Sequence, residues 1–296
     1  MIDLHMHTTN SDGRRTVIET LEKAEEMKLN VISITDHETC DSYNELKKID
    51  IKKYFKGKII PGVEIKCAYK GKIIDILGYD IDTDKMNKWI EKKYKNITHA
   101  IRQEKYLKKQ YNNLLKIGAK LPKYENIKWD KDHDWATVII HRELRAISEN
   151  EKILPKDMWE SFETYKANYL YNENSEFYLD KSEDYASIDE AIETIHNCGG
   201  KAFIAHVYVY GWAPDKEAFI EDLTSNYNFD GMECYYSKFS NEQIEYVKKV
   251  CDKKNLFMSG GSDSHGLNEI EIGIGKGNLK VPDEIIKNWA KCECGQ

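Results

Sequence analysis

Short apolar runs alternate with amphipathic stretches over about the first 80 residues. Ile2 to His7 reads as a strand, Thr16 to Met27 as a helix with Ile18, Leu21 and Ala24 on one face, and Val31 to Thr35 as a buried strand. Ile59-Ile60 leads into Gly62-Val63-Glu64, and Ile73 to Tyr79 predicts another strand. Between residues 84 and 185 the character changes. Lys, Glu, Asn and Tyr dominate, and Trp89, Tyr94, Ile97, Ile101, Leu107, Tyr111 and Leu114 recur at helical intervals. From residue 186 the first pattern resumes. Ile188 to Asn197 is a helix stopped by Gly199-Gly200, Ala202 to His206 and Gly231 to Tyr235 are strands, and Asn241 to Lys253 is a helix. Phe257 to Gly260 then runs into Gly261-Ser262-Asp263-Ser264-His265. This order predicts an α/β barrel of βα units over 1–83 and 186–290, interrupted by a helical insertion over 84–185.

With 296 residues and 41% hydrophobic content, the chain can bury a large core. It has no apolar run long enough to span a bilayer and opens Met1-Ile2-Asp3-Leu4-His5 without a basic stretch, so neither a membrane span nor a signal peptide is expected. Its formal charge of -7 argues against long nucleic acid as a partner and leaves room for a small anionic substrate. The lysines of the insertion are interleaved with glutamates and aspartates, as on a solvated helix face. Seven cysteines without paired spacing suit reduced thiols in a cytoplasm, and Cys292 with Cys294 reads as an exposed tail.

Potential metal ligands gather where the predicted strands end. His5 and His7 flank Met6 on a strand, which puts both imidazoles on one face. Asp12 follows in the turn-like Thr9-Asn10-Ser11-Asp12-Gly13. Asp36-His37, Glu64, His206 and Asp263-Ser264-His265 close later strands. In a closed parallel barrel all the carboxyl ends open on one rim, so these groups are expected to converge although they are far apart in sequence. Asp36 is expected to cap the next helix or to orient His37 rather than to ligate.

Asp3-Leu4-His5-Met6-His7-Thr8, Ile34-Thr35-Asp36-His37, Pro61-Gly62-Val63-Glu64 with Ile76-Leu77-Gly78-Tyr79, Gly199-Gly200-Lys201-Ala202 leading to Ala205-His206, and Gly260 to Gly266 together resemble the motifs of the PHP (polymerase and histidinol phosphatase) family. The insertion resembles that of its stand-alone phosphoesterases, which act on nucleoside 3′,5′-bisphosphates and short oligonucleotides. The resemblance implies a distorted (β/α)7 TIM-like barrel of PHP type holding two or three divalent metals (manganese, iron or zinc, with magnesium also open). Carried over, His5, His7, Glu64 and Asp263 hold one metal, and Asp12, His37 and His265 another. Glu64 bridges to a further one with His206 and Asp75. Aspartate at 75 stands where the family has histidine, which predicts greater tolerance for manganese or magnesium. Ile139 occupies the place of a phosphate-binding arginine, so phosphate recognition is expected from Arg102, His141, Arg142 or Arg145. Phe239 stands where relatives have a histidine.

The activity so implied is hydrolysis of a phosphoester on a nucleotide, short oligonucleotide or phosphometabolite by a metal-bound hydroxide, with His206, His265 and Asp263 as candidate catalytic groups. A histidinol-phosphatase-like monoesterase, an amidohydrolase-like C–N or ester hydrolase, and a non-catalytic metal-binding module are the alternatives.

Overall fold

The computed structural model describes residues 1–131, 134–266, 272–273 and 279–291; Cys292 and Cys294 lie outside the described residues. The chain splits into two compact units. One comprises Met1–Tyr69, Ile73–Lys92 and the described residues from Ala186 onward, and the other Lys70–Lys72 with Lys93–Tyr185.

In the first unit β1 (Ile2–Asp3), β2 (Val31–Ile32) and β3 (Lys58–Ile59) form a three-stranded parallel sheet, with Ile2 opposite Val31 and Val31 opposite Lys58. The connecting helix α1 (Val17–Glu26) starts at Thr16, whose side chain and that of Glu19 cap each other's backbone, and it buries Val17, Leu21 and Ala24. Helix α2 (Asp41–Leu46) follows β2. A six-stranded sheet takes in β4 (Gly62–Tyr69), β5 (Lys72–Tyr79), β6 (Ala186–Ser187), β7 (Lys201–Ile204), β8 (Gly231–Tyr236) and β9 (Phe257–Gly261), in the order β6-β4-β5-β7-β8-β9. Helices α8 (Ile188–Asn197), α9 (Lys216–Asn226) and α10 (Asn241–Lys254) follow β6, β7 and β8.

Main-chain hydrogen bonds join the two sheets into a ring. On one side the Leu4 N–H donates to the Gly260 carbonyl at 3.1 Å and the Asp263 N–H to that of His5 at 2.8 Å. On the other the Glu38 N–H donates to the Glu64 carbonyl at 2.9 Å. Ile2, Leu4, Leu77, Tyr79, Phe203 and Trp289 pack together in the buried core of this unit, each burial stabilising by roughly 1.5–3 kcal/mol.

The all-parallel barrel expected from the sequence requires a correction, because β5 runs antiparallel to β7, with Ile76 opposite Ile204 and Tyr79 opposite Lys201. Only Lys70 and Gly71 lie between β4 and β5, both at positive φ (46° and 74°). So short a connection makes a hairpin and cannot hold the crossover that a parallel neighbour requires.

The second unit is built of α4 (His99–Lys116), α5 (Ala136–Arg145) and the short α6 (Lys156–Glu160) and α7 (Phe162–Tyr165). It has its own core, in which Tyr106, Leu107, Leu114, Ile140, Leu144, Met158 and Tyr165 are buried. Ile139 belongs to that core at 4% exposure, which gives this apolar side chain a packing role. Helix α3 (Thr83–Tyr94), expected at the start of the insertion, falls within the first unit as far as Lys92. Its Asn87 side chain accepts from the Cys40 N–H and donates to Asp41, and Asp84 pairs with Lys47, which ties it to α2. Among the described residues no helix is long and apolar enough to cross a membrane.

Candidate metal centre

β1 ends at Asp3, yet Met6 forms a parallel bridge with Ser264, so extended backbone carries His5 and His7 onto one face. Both imidazoles are buried. His5 Nε2 lies 3.1 Å from Glu64 Oε2 and 3.4 Å from Asp263 Oδ1, while His7 Nε2 lies 3.2 Å and 3.1 Å from the same two oxygens. Glu64 reaches this point because it follows the start of β4, where it bridges His37. Asp263 reaches it through backbone at φ 54°, and the Tyr236 hydroxyl donates to its other oxygen at 2.7 Å.

A second group surrounds Asp12. Its Oδ1 lies 3.5 Å from His7 Nδ1 and 3.3 Å from His265 Nε2, and its Oδ2 lies 3.6 Å from His37 Nε2. A third is formed by His37, Glu64 and Asp75. His206 Nε2 approaches Glu64 Oε1 at 3.0 Å but Asp75 Oδ2 only at 4.0 Å. The structure thus brings His5, His7, Asp12, His37, Glu64, Asp75, His206, Asp263 and His265 into one continuous constellation in which Glu64 is common to two groups.

Electrostatics agree with a place built for positive charge. Burial disfavours the His7 imidazolium, but hydrogen bonds to Asp263 and Glu64 outweigh it and lift its pKa to about 10. His5 is likewise raised well above its usual value against the burial penalty, by Glu64, Glu233 and Asp263. Glu64 and Asp263 are held well below the ordinary carboxylate range by the histidines around them, although burial opposes this. Burial and the Glu64 charge push Asp75 up to about 6. Buried His7 Nδ1, His37 Nδ1, His206 Nδ1 and Asp75 Oδ1 have no hydrogen-bond partner. Buried polar atoms are normally satisfied, and imidazole nitrogens mixed with carboxylate oxygens are a suitable donor set for divalent manganese, iron or zinc. The residues therefore fit bound cations.

Asp36 neither caps α2, whose N-terminus has no side-chain cap, nor bonds to His37. Its Oδ1 accepts from the Thr8 N–H at 2.7 Å and the Ser11 hydroxyl at 2.6 Å, and its Oδ2 accepts from the Thr8 hydroxyl at 2.7 Å and from Ser42. It thereby fixes the loop that presents Asp12.

The four candidate phosphate-binding residues belong to the helical unit and find partners there. Arg102 lies 4.3 Å over the Tyr185 ring, and Arg145 5.9 Å over that of Trp159. His141 is buried, stacks on Tyr165 and bonds to the Met158 carbonyl through Nε2. Arg142 donates to Glu143 at 2.7 Å and to the Lys128 carbonyl at 2.6 Å.

Two residues of the constellation are missing from the sequence-derived set. Glu233 is fully buried, and its carboxylate lies 2.9 Å from His5 Nδ1. Lys66 follows Glu64 by two positions on β4, and its charge acts on Glu38, Asp75 and Glu64. A charged residue inside an otherwise apolar strand is the signal that marks both.

A model of the PHP domain matches residues 3–236. The chain belongs to the PHP domain family. This PHP chain is 28% identical, over 98% of both sequences, to a 5′-3′ exoribonuclease of Haemophilus influenzae. It is 25% identical to the 5′-3′ exoribonuclease Rnm of Escherichia coli, over 89% of this chain and 84% of the other. Among solved structures it resembles an amidohydrolase from Chromobacterium violaceum with bound sulfate and no metal, with a TM-score of 0.62, 20% identity and 92% and 89% coverage. It also resembles a proposed metal-dependent phosphoesterase from Bifidobacterium adolescentis, with a TM-score of 0.58, 19% identity and 98% and 97% coverage. These likenesses show a TIM-like PHP fold. Family membership and the exoribonuclease relatives support metal-dependent hydrolysis of a phosphoester bond by this chain.

Proposed function

We propose that the chain removes nucleotides from the 5′ end of short RNA and hydrolyses nucleoside 3′,5′-bisphosphates. The convergence of His5, His7, Glu64 and Asp263 from separate strands onto one point carries this reading. His5, His7, Glu64 and Asp263 would hold one cation and Asp12, His37 and His265 another. Glu64 and Asp75, with His206 or His37, would hold a third. Manganese, iron or zinc suits the imidazole-rich positions, and magnesium is tolerated best beside Asp75. Bound divalent ions would acidify water and neutralise the phosphate oxygens.

The chain's own residues orient this chemistry. Nδ1 of His265 lies 2.9 Å from the Asp263 carbonyl, which can only accept, so a proton is held there and Nε2, 3.3 Å from Asp12, is the nitrogen that would face a cation. Tyr236 and His7 hold the two oxygens of Asp263. Asp12, His37 and His265 are the more exposed members and form the side that substrate would meet. His206 and Asp263 complete the candidate catalytic set with His265. A charge of -7 favours a short substrate over long nucleic acid. The cysteines Cys40, Cys67, Cys198, Cys234 and Cys251 are free thiols, as suits a cytoplasmic enzyme.

The test is a panel of 5′-phosphorylated short RNA, adenosine 3′,5′-bisphosphate, histidinol phosphate and an amide ester, run on wild type, Asp263→Asn and chelated protein. Nucleoside 5′-monophosphate release that chelation abolishes and manganese restores is expected. Preference for histidinol phosphate or for the amide would replace this reading, and undiminished turnover after chelation would eliminate it.

A further inference from the structure

Glu233 lies on β8, flanked by Met232 and Cys234, and its carboxylate is cut off from solvent. One oxygen lies 2.9 Å from His5 Nδ1; the other accepts the backbone N–H of His206, also at 2.9 Å. A single side chain thus touches two groups of the centre that come from the segments just after β1 and just after β7. His206 has φ 24° and ψ 54°, a backbone conformation unfavourable for a residue with a Cβ. The N–H of that same residue is the one Glu233 holds.

We infer that Glu233 is a positioning residue that fixes the ligand tautomer of His5 and the main-chain geometry of His206 together. An ionised carboxylate only accepts hydrogen bonds. Its approach to Nδ1 holds a proton on that nitrogen, which leaves Nε2, facing Glu64 and Asp263, as the nitrogen that would give up its proton to a bound cation. Carboxylates behind ligating histidines act in this way in metal sites generally. What is particular here is the second oxygen: the acceptor that sets one ligand also secures the strained backbone of another group.

Glutamine is nearly isosteric but offers one acceptor and one donor, whereas the site asks for two acceptors. If the amide oxygen faces His206, the NH2 faces Nδ1 of His5, and the proton moves to Nε2, where it blocks metal. If the amide is reversed, the NH2 opposes the His206 N–H. Either arrangement weakens the centre.

The inference rests on His5 being a metal ligand, so the test starts with wild type. Zinc-loaded protein labelled with ¹⁵N at histidine is read by long-range ¹H–¹⁵N correlation. His5 is expected to carry its proton on Nδ1 with Nε2 bound to zinc. Wild type that binds no zinc would defeat the metal-site reading itself. Wild type that binds zinc with the His5 proton on Nε2 would defeat this inference alone, and no variant is needed for that result. Glu233→Gln is then expected to bind zinc and manganese 10–100-fold more weakly and to show a mixture of His5 tautomers. Unchanged metal affinity with unchanged His5 signals in a folded Glu233→Gln protein would overturn the role proposed.

Discussion

Replacing Asp36 tests whether the Asp12 loop is held in place by one buried carboxylate. In Asp36→Ala the Thr8 N–H, donated at 2.7 Å, and the Ser11 hydroxyl, at 2.6 Å, lose their acceptor, while the hydroxyls of Thr8 and Ser42, 3.1 Å apart, can still bond to each other. Thr8 is fully buried, so its N–H gains no water in exchange. A stranded buried N–H costs about 1–3 kcal/mol and a lost bond to a charged acceptor about 1.5–3 kcal/mol. The combined loss is about 2.5–6 kcal/mol, at the top of the range for single substitutions. Asp36→Asn should cost only about 1 kcal/mol, because its amide oxygen can keep the Thr8 N–H while its NH2 donates to the hydroxyls. The assay is amide hydrogen exchange at Thr8 in metal-free protein, where 3 kcal/mol corresponds to acceleration by about two orders of magnitude. Alanine and asparagine variants with equal exchange, both within threefold of wild type, would refute the reasoning.

Other expectations follow from the same geometry. The raised pKa of His7, about 10, means that its stabilising charge is fully present below its unfolded value and is lost as pH climbs through about 10. Metal-free protein should therefore lose stability between about pH 7 and 10, and manganese uptake at pH 8 should release protons, measured by calorimetry in buffers of different ionisation enthalpy; uptake without proton release would contradict this. Asp75→His should move selectivity from manganese toward zinc in a competition titration, and an unaltered preference would exclude Asp75 as a ligand. At Gly261 an added Cβ would lie 2.3 Å from His5 N and 2.5 Å from His5 Cβ, so Gly261→Ala should destabilise by about 1–3 kcal/mol and lower metal binding. Urea titration with metal analysis checks both effects.

Much of the centre was legible because its chemistry follows strand periodicity. His5 and His7 share a face by alternation alone, and His37, His206 and Asp263 follow strand ends, whereas Glu64 lies inside β4, third from its start, and not at the strand end that the sequence pattern predicts. The direction of β5 was not legible: Ile73 to Tyr79 shows the same apolar pattern in either orientation, and only the turn at Lys70 and Gly71 carries the distinction. Nor does sequence spacing reveal what Asp36 holds, since its partners Thr8 and Ser11 lie some 25 to 28 residues away along the chain. Glu233 was hidden for a similar reason. In Gly231 to Tyr235 it reads as one more residue of a strand, and its partners, His5 and the His206 backbone, are set by closure of the ring. The division of the structure after Lys92, and not near residue 84, was not legible because α3 has a lysine-rich surface like the insertion's but is tied to α2.

His206 and Asp263 both occupy left-handed backbone, at φ 24° and 54°, a conformation that costs a non-glycine residue roughly 1–2 kcal/mol. Glycine at either place would relax the main chain while deleting a side chain on which the proposed metal centre depends. A laboratory selection for heat resistance alone would thus tend to harvest sturdier, inert molecules, whereas one that also demanded turnover would have to seek its gains elsewhere in the chain.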